Sequence, residues 1–187
     1  AAGNTATNAV PTNVIPTADP STSGYQARVD GKRPQPTITL ATVDYTDGLS
    51  NKWTNDLTIS ATIAYGEAVQ NVVEALVSVT NGTKSNFVNT DNTTFTLGVT
   101  PTTDGDVIVS IPEGDLTNQI KDGGGNFAYG ASATIKSDRT APATTDDVPS
   151  GWQTADFTIT FTPNDGTGSG VANVKYTTDN TDPKTSE

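Results

Sequence analysis

The sequence of 187 residues predicts an all-β protein of two β-sandwich units in tandem, the second incomplete. Three observations carry the prediction. Roughly one residue in five is Thr, and Thr with Val and Ile suits a pleated surface, while Gly, Asn, Asp and Pro supply the turns. Several segments alternate apolar and polar residues with a period of two. Two stretches built around Trp53 and Trp152 resemble each other and stand 99 residues apart, close to one sandwich length.

Residues 1–32 are rich in Ala, Thr, Asn and Pro, with Val10, Val14 and Ile15 as their apolar cluster. They read as a linker, or as a strand donated to a neighbouring subunit and kept short by Pro11, Pro16 and Pro20. The first sandwich is expected over 33–138. Thr37 to Val43 opens it, and Leu57, Ile59, Ala61, Ile63 and Tyr65 alternate cleanly. Val69, Val72, Val73 and Leu76 have helical spacing over too short a run for a helix, which predicts a bent loop or a single turn. Leu76 to Thr80 is another short strand. Phe95, Leu97 and Val99 pair naturally with Val107, Val109 and Ile111 across the turn signal Pro101-Thr-Thr-Asp-Gly-Asp106. Ala133 to Lys136 closes the unit.

The second unit is expected over 139–187. Phe157, Ile159 and Phe161 alternate, a glycine-rich loop follows from Asn164 to Gly170, and Val171, Val174 and Tyr176 begin a further strand. Glu187 falls about halfway through a sandwich of about 100 residues, so a longer parent protein or another molecule is expected to supply the remaining strands. Asn51-Lys-Trp53-Thr-Asn-Asp56-Leu-Thr-Ile59 parallels Ser150-Gly-Trp152-Gln-Thr-Ala-Asp156-Phe-Thr-Ile159, which suggests an array of domain-sized units.

Composition removes whole mechanisms. The chain has no Cys, His or Met, so disulfides, thiolate nucleophiles, imidazole bases and His or Cys metal sites are absent. Ten basic against 21 acidic residues leave a net charge of −11, which argues against nucleic acid as a partner. No run of 18 apolar residues predicts a membrane span. The loop around Gly166 to Gly170 lacks the Lys and the following helix of a phosphate-binding loop. An enzyme is not expected.

The segments Val77-Ser-Val-Thr-Asn-Gly-Thr83, Phe95 to Gly105, Val107 to Pro112, Asp122-Gly-Gly-Gly-Asn126 and Asp138-Arg-Thr-Ala-Pro142 resemble bacterial immunoglobulin-like repeat modules of large secreted adhesins and biofilm-associated surface proteins. The second unit resembles chitobiase C-terminal-type repeat modules through Val148-Pro-Ser-Gly-Trp152, Gly168-Ser-Gly-Val171 and Tyr176 to Pro183. Its Asn180 stands where those modules usually carry Gly. The resemblance implies tandem immunoglobulin-like sandwiches at the cell surface, acting as a spacer or stalk. It also implies Ca²⁺ at module junctions, with Asp122, Asn126 and Asp138 as ligands and Asp165 of the facing loop completing the set. Loop oxygens of this kind suit Ca²⁺, which takes six to eight of them.

Expected partners are neighbouring modules, other copies of the chain, or a surface glycan or protein. Two alternatives belong to other classes. One is a subunit of an extracellular filament or sheath built by strand pairing between chains. The other is a non-catalytic binding module of a secreted polysaccharide-degrading enzyme. Trp53 and Trp152 are expected to pack in equivalent places rather than to present stacking platforms. Asp104 and Asp106 read as hairpin-turn residues, and Asp146 and Asp147 as an exposed strand end. Asn81-Gly-Thr83 and Asn92-Thr-Thr94 fit the N-glycosylation pattern.

Overall fold

A computed structural model describes residues 30–179 and 181–183. The chain divides at Gly31, and every element below lies in Gly31–Glu187. Residues 1–29, with the linker or donated strand expected there, lie outside the described residues.

The protein is all-β. In chain order the strands are β1 (Thr37–Leu40), β2 (Tyr45–Thr46), β3 (Lys52–Thr54), β4 (Ile59–Ala64), β5 (Val69–Gln70), β6 (Ser78–Thr80), β7 (Gly82–Asn89), β8 (Thr94–Pro101), β9 (Gly105–Ile111), β10 (Lys121–Asp122), β11 (Ala131–Ser137), β12 (Ala143–Asp146) and β13 (Phe161–Asn164). One 3₁₀ turn, Glu74–Leu76, follows β5, so the helical spacing there yields a bend. Among the described residues no helix is long and apolar enough to cross a membrane.

Two sheets build the main body, a four-stranded one in the order β1-β4-β8-β7 and a five-stranded one in the order β2-β3-β11-β9-β6. Their alternation is the one visible in the sequence. Ile59, Ala61 and Ile63 of β4 and Phe95, Leu97 and Val99 of β8 face Val107, Val109 and Ile111 of β9 and Ile135 of β11 in one buried cluster. Period two aims these side chains inward, and the polar residues between them face out. The result is sandwich-like. The hairpin expected between β8 and β9 does not form: β8 pairs with β4 and β7 in one sheet and β9 with β11 and β6 in the other, so the turn between them carries the chain across from sheet to sheet. Leu57, the first member of the predicted alternation, is exposed because pairing begins only at Ile59.

The pattern did not announce β7. Its register shifts between Ser85 and Val88, and Asn86 has a left-handed φ of 52°. That bulge breaks the period and turns Phe87 toward the core, where it stacks on Phe95 with ring centroids 6.1 Å apart. Tyr65 meets the same ring edge-on, also at 6.1 Å.

The segment 112–130, which carries no strong pattern, wraps one end of the two sheets. Gly114 N donates to Ala128 O at 2.9 Å, and Ala128 N donates to Ile120 O at 3.0 Å, which buries Ile120 and Ala128. Arg33 fastens this segment: its Nε donates to Phe127 O at 2.7 Å, its guanidinium pairs with Glu113, and it lies 4.0 Å from the Tyr129 ring centroid.

Beyond Asp138 the structure is sparse. β12 and β13 pair with each other alone, from Ala143↔Asn164 to Asp146↔Phe161. The strand expected from Phe157 begins at Phe161, and residues 171–176 form no strand. The matched Trp residues also part company. Trp53 is 8% exposed and Trp152 is 101% exposed. Trp53 sits on β3 between β2 and β11, while Trp152 lies outside any strand. The expected equivalent packing therefore holds only for Trp53.

Trp53 also reveals what holds its neighbourhood. Asp47 accepts from Trp53 Nε1 at 3.1 Å, from Asn51 Nδ2 at 2.8 Å, and from the Leu49 and Asn51 amides at 2.9 Å. These bonds, led by the Asn51 side chain, lower its pKa from 3.8 to about 2. The folded protein thus favours the carboxylate, and the contribution is present above pH 4 and lost as pH falls toward 2. Melting of wild type and Asp47→Asn, followed by Trp fluorescence, is expected to differ at neutral pH and to converge near pH 2. A pH-independent difference would contradict this assignment.

Candidate functional site

The four candidate ligands fall into two separate groups. Asp122 and Asn126 belong to the loop that enters β11 at Ala131, whereas Asp138 follows Ser137 at its other end. A strand of that length spans about 20 Å, so one ion cannot take all four. Asp122 is buried, and its two oxygens accept from the Asn126 amide at 2.8 Å and from Asn126 Nδ2 at 2.9 Å. The Asn126 side chain leads the causes that hold the Asp122 carboxyl below its ordinary range. This pair closes a tight glycine-rich turn. A carboxylate oxygen of Glu67 lies within 4.8 Å of one from Asp122.

Asp138 and Asp165 do come together. The parallel pairing of β11 with β3 ends at Ser137↔Thr54, and the Asp138 amide continues it by donating to Thr54 O at 2.9 Å. This fixes the first residue of the linker against the main body. Asp138 Oδ2 then accepts from the Ser169 amide at 2.7 Å and from its hydroxyl at 2.6 Å. Asp165 Oδ2 accepts from the Gly170 amide at 2.7 Å, which folds the loop back over itself. The remaining oxygens, Asp138 Oδ1 and Asp165 Oδ1, are buried and have no hydrogen-bond donor among the described residues.

Gly168 explains how two carboxylates approach so closely. A Cβ there would stand 2.5 Å from Asp165 Oδ2 and 2.8 Å from Asp138 Oδ1. The missing side chain leaves room for both acids at one spot. Buried carboxylate oxygens without donors are costly, and two together add like-charge repulsion.

A third loop completes the neighbourhood. Asp104, in the turn from β8 to β9, accepts from the Arg139 amide at 2.8 Å, and Arg139 Nη1 donates to Pro101 O at 3.3 Å. The Thr140 hydroxyl, followed by the Arg139 amide, holds the Asp104 carboxyl below its ordinary range. The β8–β9 turn, linker and glycine-rich loop line a depression of about 500 Å³ through Thr102, Asp104, Arg139, Thr140 and Thr167. Asp106 instead pairs with Lys136, its cross-strand neighbour. Asp146 and Asp147 hold local backbone amides at Val148 and Thr160.

Asp138 and Asp165, both named as candidates from the sequence, are neighbours in the fold, whereas Gly168 and Ser169 were not among the candidate site residues. Asp104 reads as an ordinary turn residue, and only the neighbours it meets in the fold give it a second role. Gly168 is one of several glycines in its loop, with no mark in the sequence to set it apart. No protein-family model, curated protein or solved structure matches the chain.

Proposed function

We propose that the chain is a structural spacer of an extracellular, cell-surface adhesin, built as tandem immunoglobulin-like β-sandwiches whose junction is stiffened by Ca²⁺. The observation that carries this reading is the pair of donorless buried oxygens on Asp138 and Asp165, one on the linker and one on the following loop. Asp138 and Asp165 would hold the ion, with loop carbonyls and water as further oxygen donors. When bound, Ca²⁺ supplies charge neutralisation and a cross-link between linker and loop. The chain's own contribution is orientation. Thr54 fixes the Asp138 backbone, Ser169 turns its carboxylate, and Asp104 holds Arg139 and Thr140. An arrangement so anchored favours one direction of the linker over others, since an ion that binds one geometry shifts the population toward it.

Thermal unfolding at constant ionic strength, with Ca²⁺ and with chelator, tests the reading. At about 100 times its Kd, Ca²⁺ is expected to add about 2.7 kcal/mol to the stability of the element it binds. The gain is expected to vanish in the double variant Asp138→Asn/Asp165→Asn and to survive Asp122→Asn. An unchanged midpoint in the wild-type chain would remove the cation from the proposal.

A second reading, a subunit of an extracellular filament or sheath, is favoured by a different observation. Trp152, Phe157, Ile159 and Tyr176 are exposed beside the two-stranded sheet β12–β13. Such a sheet is marginal alone and gains from a further strand. Electron microscopy of the same samples separates the two: discrete particles fit the spacer, continuous fibres the filament.

A further inference from the structure

The two N-glycosylation patterns in the sequence meet opposite fates in the fold. Asn81-Gly-Thr83 begins where the chain passes from β6 to β7. The Asn81 side chain is held through both its nitrogen and its oxygen: Nδ2 donates to Thr103 O at 2.9 Å, and Oδ1 accepts from the Thr103 amide at 3.0 Å and its hydroxyl at 2.8 Å. These three bonds fasten the β8–β9 turn to the start of β7. Drawing the Asn81 side chain out into a transferase's active site would break them together.

Asn92-Thr93-Thr94 occupies the tip of the β7–β8 hairpin, and Asn92 is exposed with a left-handed φ of 61°. Asp91 Oδ1 accepts from the amides of Thr93 and Thr94 at 3.0 and 2.8 Å and from the Thr93 hydroxyl at 2.8 Å, which sets the turn. The Asn92 amide donates to Asn89 Oδ1 at 2.8 Å, and Asn92 Oδ1 accepts from Asn89 Nδ2 at 2.8 Å. That exchange uses the carbonyl side of the Asn92 side chain and leaves its Nδ2 without an acceptor among the described residues.

We infer that Asn92 is an acceptor for an N-linked glycan in the folded protein and that Asn81 is not. The co-reactant is a glycan carried on a polyprenyl diphosphate, brought by an oligosaccharyltransferase. Asn92 Nδ2 forms a bond to C1 of the sugar, and the bond from C1 to the diphosphate oxygen breaks. The polyprenyl diphosphate leaves with the electron pair, and one Nδ2 proton passes to a base. The glycan would project from the hairpin tip without displacing a structural hydrogen bond. The inference goes beyond the spacer reading and does not rest on it.

The test is transfer in vitro to the folded 187-residue chain, using purified oligosaccharyltransferase and a polyprenyl-diphosphate glycan, with peptide mass spectrometry as the readout. Modification of Asn92, its loss in Asn92→Gln, and an unmodified Asn81 are expected. The unfolded chain, given the same reagents, is expected to accept glycan at both positions. Transfer to Asn81 in the folded chain, or no transfer to Asn92, would overturn the inference.

Discussion

Replacing Phe95 with Ala is expected to lower the stability of the main body by about 3–5 kcal/mol, the usual range for emptying an aromatic core position. Phe95 is 1% exposed at the centre of the shared cluster. Its ring touches Tyr65 by its edge and Phe87 by its face, so removal leaves two aromatic neighbours facing a void. β8 pairs on both sides, with β4 and β7, and the sheet cannot collapse to fill the space. Urea unfolding measures the loss as a fall in midpoint at unchanged slope. Trp152→Ala is the matching control. A fully exposed side chain on an unpaired segment is expected to shift stability by no more than about 0.5 kcal/mol. A Phe95→Ala loss as small as that control would mean the two sheets do not share a packed core.

Gly114→Ala is expected to cost about 3 kcal/mol, at the upper end of overpacking changes. A Cβ on Gly114 would lie 2.0 Å from Ile120 O and 2.9 Å from the Ala128 amide nitrogen. Both are backbone atoms of the segment that covers the sheet end, and neither can swing aside as a side chain does. The bonds from Gly114 to Ala128 and from Ala128 to Ile120 would have to open, exposing Ile120. Hydrogen exchange is expected to show lost protection at the Gly114 and Ala128 amides while the β4 and β8 amides stay slow. Gly123→Ala provides the contrast: an added Cβ there meets nothing within 4 Å, and little change is expected. Equal effects at the two glycines would contradict the close approach at Gly114.

The contrast between the two glycines shows how far the sequence could be read. Strands β4, β8 and β9 were legible because each buries one face, and burial writes a period of two into the residues. The bend at Glu74–Leu76 was legible because its apolar spacing ran too short for a helix. Strand β7 was not, since the bulge at Asn86 removes the period that would announce it. Of the candidate ligands, Asp122 and Asn126 show the limit of reading turns. Their glycine-rich segment looks like a cation loop, yet each satisfies the other, and the loop closes on itself.

By itself the sequence determined the all-β class, the strands β1, β4, β6, β8, β9 and β11 of the two-sheet core, and the exclusion of thiol and imidazole chemistry, because each depends on residue type or on local periodicity. Only the tertiary structure decided which acids meet. Asp138 and Asp165 are far apart in the chain, and their encounter depends on the β11–β3 pairing, on Ser169 and on the missing side chain of Gly168. The tertiary structure likewise separated Trp53 from Trp152 and Asn81 from Asn92. Each pair is nearly equivalent as local sequence. Trp53 is covered by pairing with the distant β11 and Asn81 is held by the distant Thr103, and local pattern carries no record of either partner.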